Sequence, residues 1–221
     1  MSGLRGVATA AACAAAVLSS AGCSRSGGPE STRDPSSASR PAGTVLALNQ
    51  HLRELWTDHV VWMRSYIVAA AANQPDAQAA SDRLLKNSGA IGGAIGQYYR
   101  GEVGFRLTSL LKERVSITIE LVTAAKAGDE AAQNRVEERA DQNAAHIADF
   151  LSQTNPNWSR GTLNAMLKEL MAKTMGEVDA RLNKRWDADV NVFDAIVAQA
   201  LKLSDALADG LLRQFPDAFE R

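Results

Sequence analysis

Cysteine is almost missing from this chain, with only Cys13 and Cys23 in 221 residues. Cys13 lies inside an N-terminal apolar run that reads as a removable signal, so Cys23 alone would remain. That excludes an intramolecular disulfide and a cysteine metal cluster. A surplus of one charge is missing too: 24 Lys and Arg stand against 25 Asp and Glu, for a formal net charge of −1. A nucleic-acid partner therefore gets no support. Aromatic residues make up only 5 % of the chain, and no stretch of alternating apolar and polar residues marks a strand. The standard catalytic signatures are absent as well. There is no His-Glu-x-x-His, no Glu-x-x-His of the di-iron bundles, no Gly-x-Ser-x-Gly and no P-loop. Nothing in the sequence asks for a metal or another cofactor.

What is present begins with an address. Arg5 is followed by an apolar, Ala-rich run from Gly6 to Leu18, too short to span a bilayer comfortably. It ends at Ser20-Ala21-Gly22-Cys23, which resembles the bacterial lipoprotein signal, with Ser20 where that signal usually has Leu. On this reading residues 1–22 are removed and Cys23 is lipidated. The mature protein then sits on the extracytoplasmic face of the cell membrane; an ordinary secretory signal is the alternative. Residues 24–44 are rich in Ser, Pro and Gly and nearly devoid of apolar side chains, so they bury too little to order themselves. A flexible tether of about 20 residues has a root-mean-square reach of roughly 25 Å.

From residue 45 to 216 the periodicity is helical, with a short tail at 217–221. Pro75, Pro156 and Pro216 fall between the apolar-periodic runs and never inside one. Gly128-Asp129 reads as a C-cap glycine followed by an N-cap. Trp158-Ser159 fits a hydrophobic staple around a serine cap. Thr174 and Glu177 have capping-box spacing, which predicts a break in the fifth helix near 174, and Asp187 is the candidate cap of the last. The result is an all-α fold of six helices, at about 46–73, 76–99, 103–126, 129–153, 160–184 and 187–214, joined by loops short enough to make neighbours antiparallel.

The six helices read as three repeated hairpins. Leu52, Leu55, Asp58 and His59 match Leu107, Leu110, Glu113 and Arg114, and then Leu163, Met166, Glu169 and Leu170. On the second helices Arg83, Asn87 and Ile91 match Arg139, Asn143 and Ile147, and then Arg185, Asp189 and Phe193.

This register sets out the candidate site. His59 shares an apolar helical face with Leu52, Leu55, Trp62 and Tyr66. Arg114 takes the matching place in the second hairpin, where a buried charge needs a partner such as Glu113, Glu120 or Asp189, or an exit to water. The alternatives are a structural network and a polar pocket for a small anion, lined by His59 and Arg114 with Asn87, Asn143 and Asp189 facing in and His146 inside or at the rim. Gly89, Gly92, Gly93 and Gly96 within one helix point to close backbone approach, or to room for a ligand. The four tryptophans read as core and staple residues.

Residues 55–67, Asn143 to Ser152, Asn155-Pro-x-Trp158 and Asp205 to Gly210 resemble a family of uncharacterised three-hairpin helical proteins of Gram-positive bacteria. The likeness covers about 50 to 216 and implies no activity. Members similar to this chain carry an acidic-His pair at the start of each hairpin. Only Asp58-His59 keeps it here, which argues against a metal site on the hairpin axis. The expected function is therefore a membrane-anchored binding or interaction module with an unknown small ligand or protein partner. One alternative is an enzyme using His59 as acid and base, oriented by Asp58 or Asp189; the other is a purely structural envelope protein.

Overall fold

A computed structural model describes residues 43–220, so the signal, Cys23 and most of the tether lie outside the described residues. The fold is an all-α bundle of six helices: α1 (Val45–Ala71), α2 (Ala77–Gly96), α3 (Val103–Ala127), α4 (Glu130–Thr154), α5 (Arg160–Leu182) and α6 (Trp186–Gln214). Every helix packs on its neighbours in sequence, α6 closes the ring against α1, and α1, α3 and α5 also touch one another. Paired contacts show the directions. Asp58 meets Arg83 while Leu55 meets Asn87, and Arg53 meets Asp205 while Arg64 meets Asp189. Each of these pairs of helices is antiparallel.

Three of the expected caps are made. Gly128 ends α3 in the left-handed region at φ 67°, which glycine adopts at no steric cost. Asp129 then accepts from the Ala132 amide at 2.8 Å, and Ser159 accepts from the Thr162 amide at 3.3 Å. Two expectations fail. Helix α5 runs unbroken through 174, because the Thr174 hydroxyl donates back to the Leu170 carbonyl at 2.9 Å and Glu177 is drawn to Arg64 on α1. Asp187 lies in the first turn of α6 rather than at its cap, since that helix already begins at Trp186.

The core has two apolar halves. One surrounds Leu52, Ile91, Leu107, Ile147, Leu167 and Leu203; the other surrounds Ile67, Leu84, Val115, Leu121, Val136 and Val178. The first is closed at its outer end by the loop after α4. There Asn155 donates to the Gly210 carbonyl and to the Tyr99 hydroxyl, both at 2.9 Å, and Trp158 Nε1 donates to the Leu207 carbonyl. Trp158 lies flush on Gly210, where any Cβ would overlap the indole ring. At the same end β1 (Gly43–Thr44) pairs in parallel with β2 (Phe219–Glu220), so the chain orders beyond 216 and Phe219 is buried.

The glycines of α2 divide by face. A Cβ on Gly96 would fall 2.5 Å from the Gly104 Cα of α3, and one on Gly92 would fall 2.6 Å from the Gly104 carbonyl oxygen. Gly89 and Gly93 have open space where a side chain would go. Close helix approach therefore explains the first pair alone. Gly93→Ala is expected to stabilise the fold by up to about 1 kcal/mol, whereas Gly96→Ala should destabilise it by about 1–3 kcal/mol through forced separation of α2 and α3. Urea midpoints of the two variants give the sign of each effect.

Candidate functional site

The polar side chains at the centre sit between the two apolar halves. His59 on α1 is 3 % exposed, and Arg114 on α3 is 4 % exposed; Asn87 on α2 and Asn143 on α4 are also buried. Asn87 Nδ2 donates to the Leu55 carbonyl at 3.0 Å, which turns its oxygen towards His59 Nδ1 at 3.1 Å. A carbonyl can only accept, so the amide orientation is fixed. His59 therefore carries its proton on Nδ1, leaving the lone pair on Nε2. Burial pushes the pKa of His59 down to about 4; the bond to Asn87 works the other way, and the charge on Arg114 adds to the fall. The imidazole is neutral at physiological pH. Trp56 lies edge-on to it, with ring centroids 5.5 Å apart.

Arg114 does not find the carboxylate expected for it. Its Nη2 donates to the Leu167 carbonyl of α5 at 2.6 Å, and its Nη1 is buried without a partner. Burial lowers its pKa to about 10, which leaves it charged at neutral pH. Four further buried side-chain atoms among the described residues are unpaired: the side-chain oxygens of Asn143 and Asn164, the Ser204 hydroxyl and Trp56 Nε1. Asn143 spends its amide hydrogens on the Leu110 carbonyl at 3.1 Å and on Glu113 at 3.2 Å.

Asp189, expected in this group, belongs elsewhere. Its two oxygens accept from Arg64 at 2.9 and 3.0 Å and from Arg181 at 3.1 Å. Arg64 also reaches Glu177 at 2.6 Å and lies over the Phe193 ring at 4.6 Å. Burial pushes the Glu177 carboxyl up to about 7 against the attraction of Arg64. This second cluster ties α1, α5 and α6 together. Its glutamate was hidden in the sequence by its capping-box spacing from Thr174. His146 is exposed and lines no interior space. Trp56 and Trp158 are core residues as expected, whereas Trp186 is exposed under Arg181.

The third place in the amide pattern is filled by Gln199. It donates to the Met166 carbonyl at 3.2 Å, as Asn87 does to Leu55 and Asn143 to Leu110. The step from Asn87 to Asn143, taken once more along the chain, lands on Gln199. That regular spacing was the available signal, and the match to Arg185 drew the register ten places early.

Space inside the first apolar half is small. A void of about 10 Å³, the size of one water molecule, is lined by Trp56, Leu107, Leu111 and Leu167 among others. Larger clefts lie on the outside, one of about 540 Å³ between the ends of α1, α2 and α3 and one of about 670 Å³ beside α4 and α5. Among the described residues no group of three or more His, Cys, Asp and Glu could hold a metal ion, and no helix is long and apolar enough to cross a membrane.

No family model matches the chain, and neither does any curated protein or solved structure.

The two buried acids and bases pull stability in opposite directions with pH. His59 is about 4 in the fold and 6.5 when free, so its neutral burial adds stability above 6.5 that is lost as pH falls towards 4. Glu177 is about 7 in the fold and 4.5 when free, so its contribution is complete below 4.5 and is lost as pH rises through 7. Urea titrations of Glu177→Gln between pH 4.5 and 6.5 should show stability rising with pH by up to about 1.4 kcal/mol per unit. His59→Gln should show it falling over the same range. Equal slopes in the two variants would contradict both assignments.

Proposed function

We propose that this chain is an extracytoplasmic binding module, held to the membrane by lipid at Cys23, whose interior takes a single small anion at Arg114. One observation carries the reading: a guanidinium that is 4 % exposed, has no carboxylate partner and keeps Nη1 without an acceptor. An unpaired buried cation costs several kcal/mol, and an anion beside it offsets that cost. The void of about 10 Å³ near Trp56 and Leu167 is lined by apolar side chains and not by Arg114, so even a halide reaches the guanidinium only if the side chains around it part. Trp56 Nε1 is another buried donor without a partner. Neutral His59 adds no competing charge and no acid of its own at neutral pH.

Acid–base catalysis by His59 finds less support. Its partner is the Asn87 amide, and the two carboxylates expected to orient it are taken, Asp58 by Arg83 and Asp189 by Arg64 and Arg181. The structural reading is favoured by a specific observation, the amide-to-carbonyl bonds of Asn87, Asn143 and Gln199, which fix how far each helix slides along its neighbour.

Thermal unfolding in chloride, bromide and nitrate, with sulfate at matched ionic strength as reference, separates the two. Binding of a halide at 100 times its dissociation constant should stabilise the protein by about 2.7 kcal/mol, and Arg114→Met should remove the difference between bromide and sulfate. Anomalous diffraction from bromide-soaked crystals should place the ion at Nη1. If the anions act alike and Arg114→Met is more stable than the parent, the polar centre is structural only. For the anchor, Cys23→Ser should move the protein from the membrane fraction to the soluble fraction.

A further inference from the structure

The end of the bundle where the tether enters carries the two most exposed large apolar side chains of the described residues, Phe105 at 80 % and Leu46 at 65 %. Both stand in the first turn of a helix that starts at this end, α3 and α1 respectively. Their outward direction is built in. Gly104 is pressed against Gly92 and Gly96 of α2, so the next residue, about 100° further round the helix, is turned away from it. Val45 packs on the core, and Leu46 is turned out in the same way. Around them the charges balance: Arg100 and Arg106 are exposed without an ion pair among the described residues, and Glu102 and Asp217 lie at the same end. Arg53, Arg160 and Arg213, the other cations nearby, are taken by Asp205, Asp149 and Asp209.

We infer that this end is a lipid-contacting surface, with Phe105 and Leu46 inserted into the headgroup layer of the bilayer that holds the tether. The inference rests on lipid anchorage at Cys23. On that reading about 20 residues separate Cys23 from Gly43, and a flexible chain of that length has a root-mean-square reach of roughly 25 Å, short of the roughly 40 Å length of α1, so the anchor lies nearer this end than the opposite one. Exposed aromatic and aliphatic side chains with balanced charge suit the interfacial layer, where apolar contact and not net charge supplies the attraction. The bundle therefore stands with its helix axes away from the membrane plane, and the loops at 72–76, 128–129 and 183–185 face outward.

The test uses the full lipidated chain in phosphatidylcholine–phosphatidylglycerol vesicles, with an environment-sensitive fluorophore on one introduced cysteine. Ser109→Cys reports on the lipid-facing end, one turn from Phe105, and Ala79→Cys reports on the opposite end. Spin-labelled lipid should quench the label at 109 and leave the label at 79 unaffected, with little change on raising salt. Adding Leu46→Ser and Phe105→Ser to the first variant should remove roughly half or more of that quenching while the protein stays in the vesicle fraction. If the protein is vesicle-bound but the labels at 109 and 79 are equally open to an aqueous quencher, the lipid-contacting surface is wrong and the anchor stands. If label quenching at 109 depends on protein concentration and not on lipid quencher, the patch joins copies of the chain, and the proposal fails. A parent protein that is not in the membrane fraction overturns the anchor and this inference together.

Discussion

Between the two apolar halves of the bundle lies a belt of polar side chains, His59, Asn87, Arg114 and Asn143, from which water is excluded. Each polar atom there has to find its partner within the protein or leave a debt of solvation. Main-chain carbonyls of the adjoining helices are the main acceptors, because a helical carbonyl has a second lone pair to offer. The amide of Asn87 takes Leu55, that of Asn143 takes Leu110, and the guanidinium of Arg114 takes Leu167. A slide of one helix along another breaks these bonds, whereas sliding Leu over Leu would cost little. The belt thus sets the register in which the glycine contacts of α2 and α3 and the packing of Trp158 on Gly210 can be made.

The balance of charge across the molecule follows from where the carboxylates went. Glu177 and Asp189 both joined Arg64 and Arg181 at the meeting of α1, α5 and α6. That cluster sets two carboxyl groups against two guanidinium groups, although burial keeps Glu177 partly protonated at neutral pH. The belt received a cation with no carboxylate bonded to it, since Glu113 accepts from Asn143 and not from Arg114, and its histidine stays neutral. A neighbouring positive charge and a dry surround act in the same direction on an imidazole. The belt is therefore a place with free donors and positive potential, and it is enclosed.

The helical architecture was legible because its signals are local: apolar steps of three and four, prolines confined to joints, and caps such as Gly128, Asp129 and Ser159. The burial of His59 and Arg114 was legible for the same reason, since a helical face is a matter of spacing. Partner choice was not. Whether Arg114 meets Glu113, Glu120, Asp189 or a carbonyl depends on the rotation of helices far apart in sequence. Short helical matches with a shared Arg placed Asp189 where Gln199 stands. Glu177 shows the limit most plainly, since a spacing that signals a cap is also one turn of a continuous helix. Its carboxylate went to Arg64, 113 residues away in the chain.

The parallel pairing of Gly43–Thr44 with Phe219–Glu220 has a mechanical side. It clips the segment before α1 to the segment after α6, so a pull on residue 43 is shared between the two helices. Those two helices are also the pair that closes the ring, joined by Arg53 to Asp205 and by Arg64 to Asp189. Load applied at residue 43 would then be carried by the closing seam as a unit, and peeling α1 from the bundle would also unzip Phe219–Glu220.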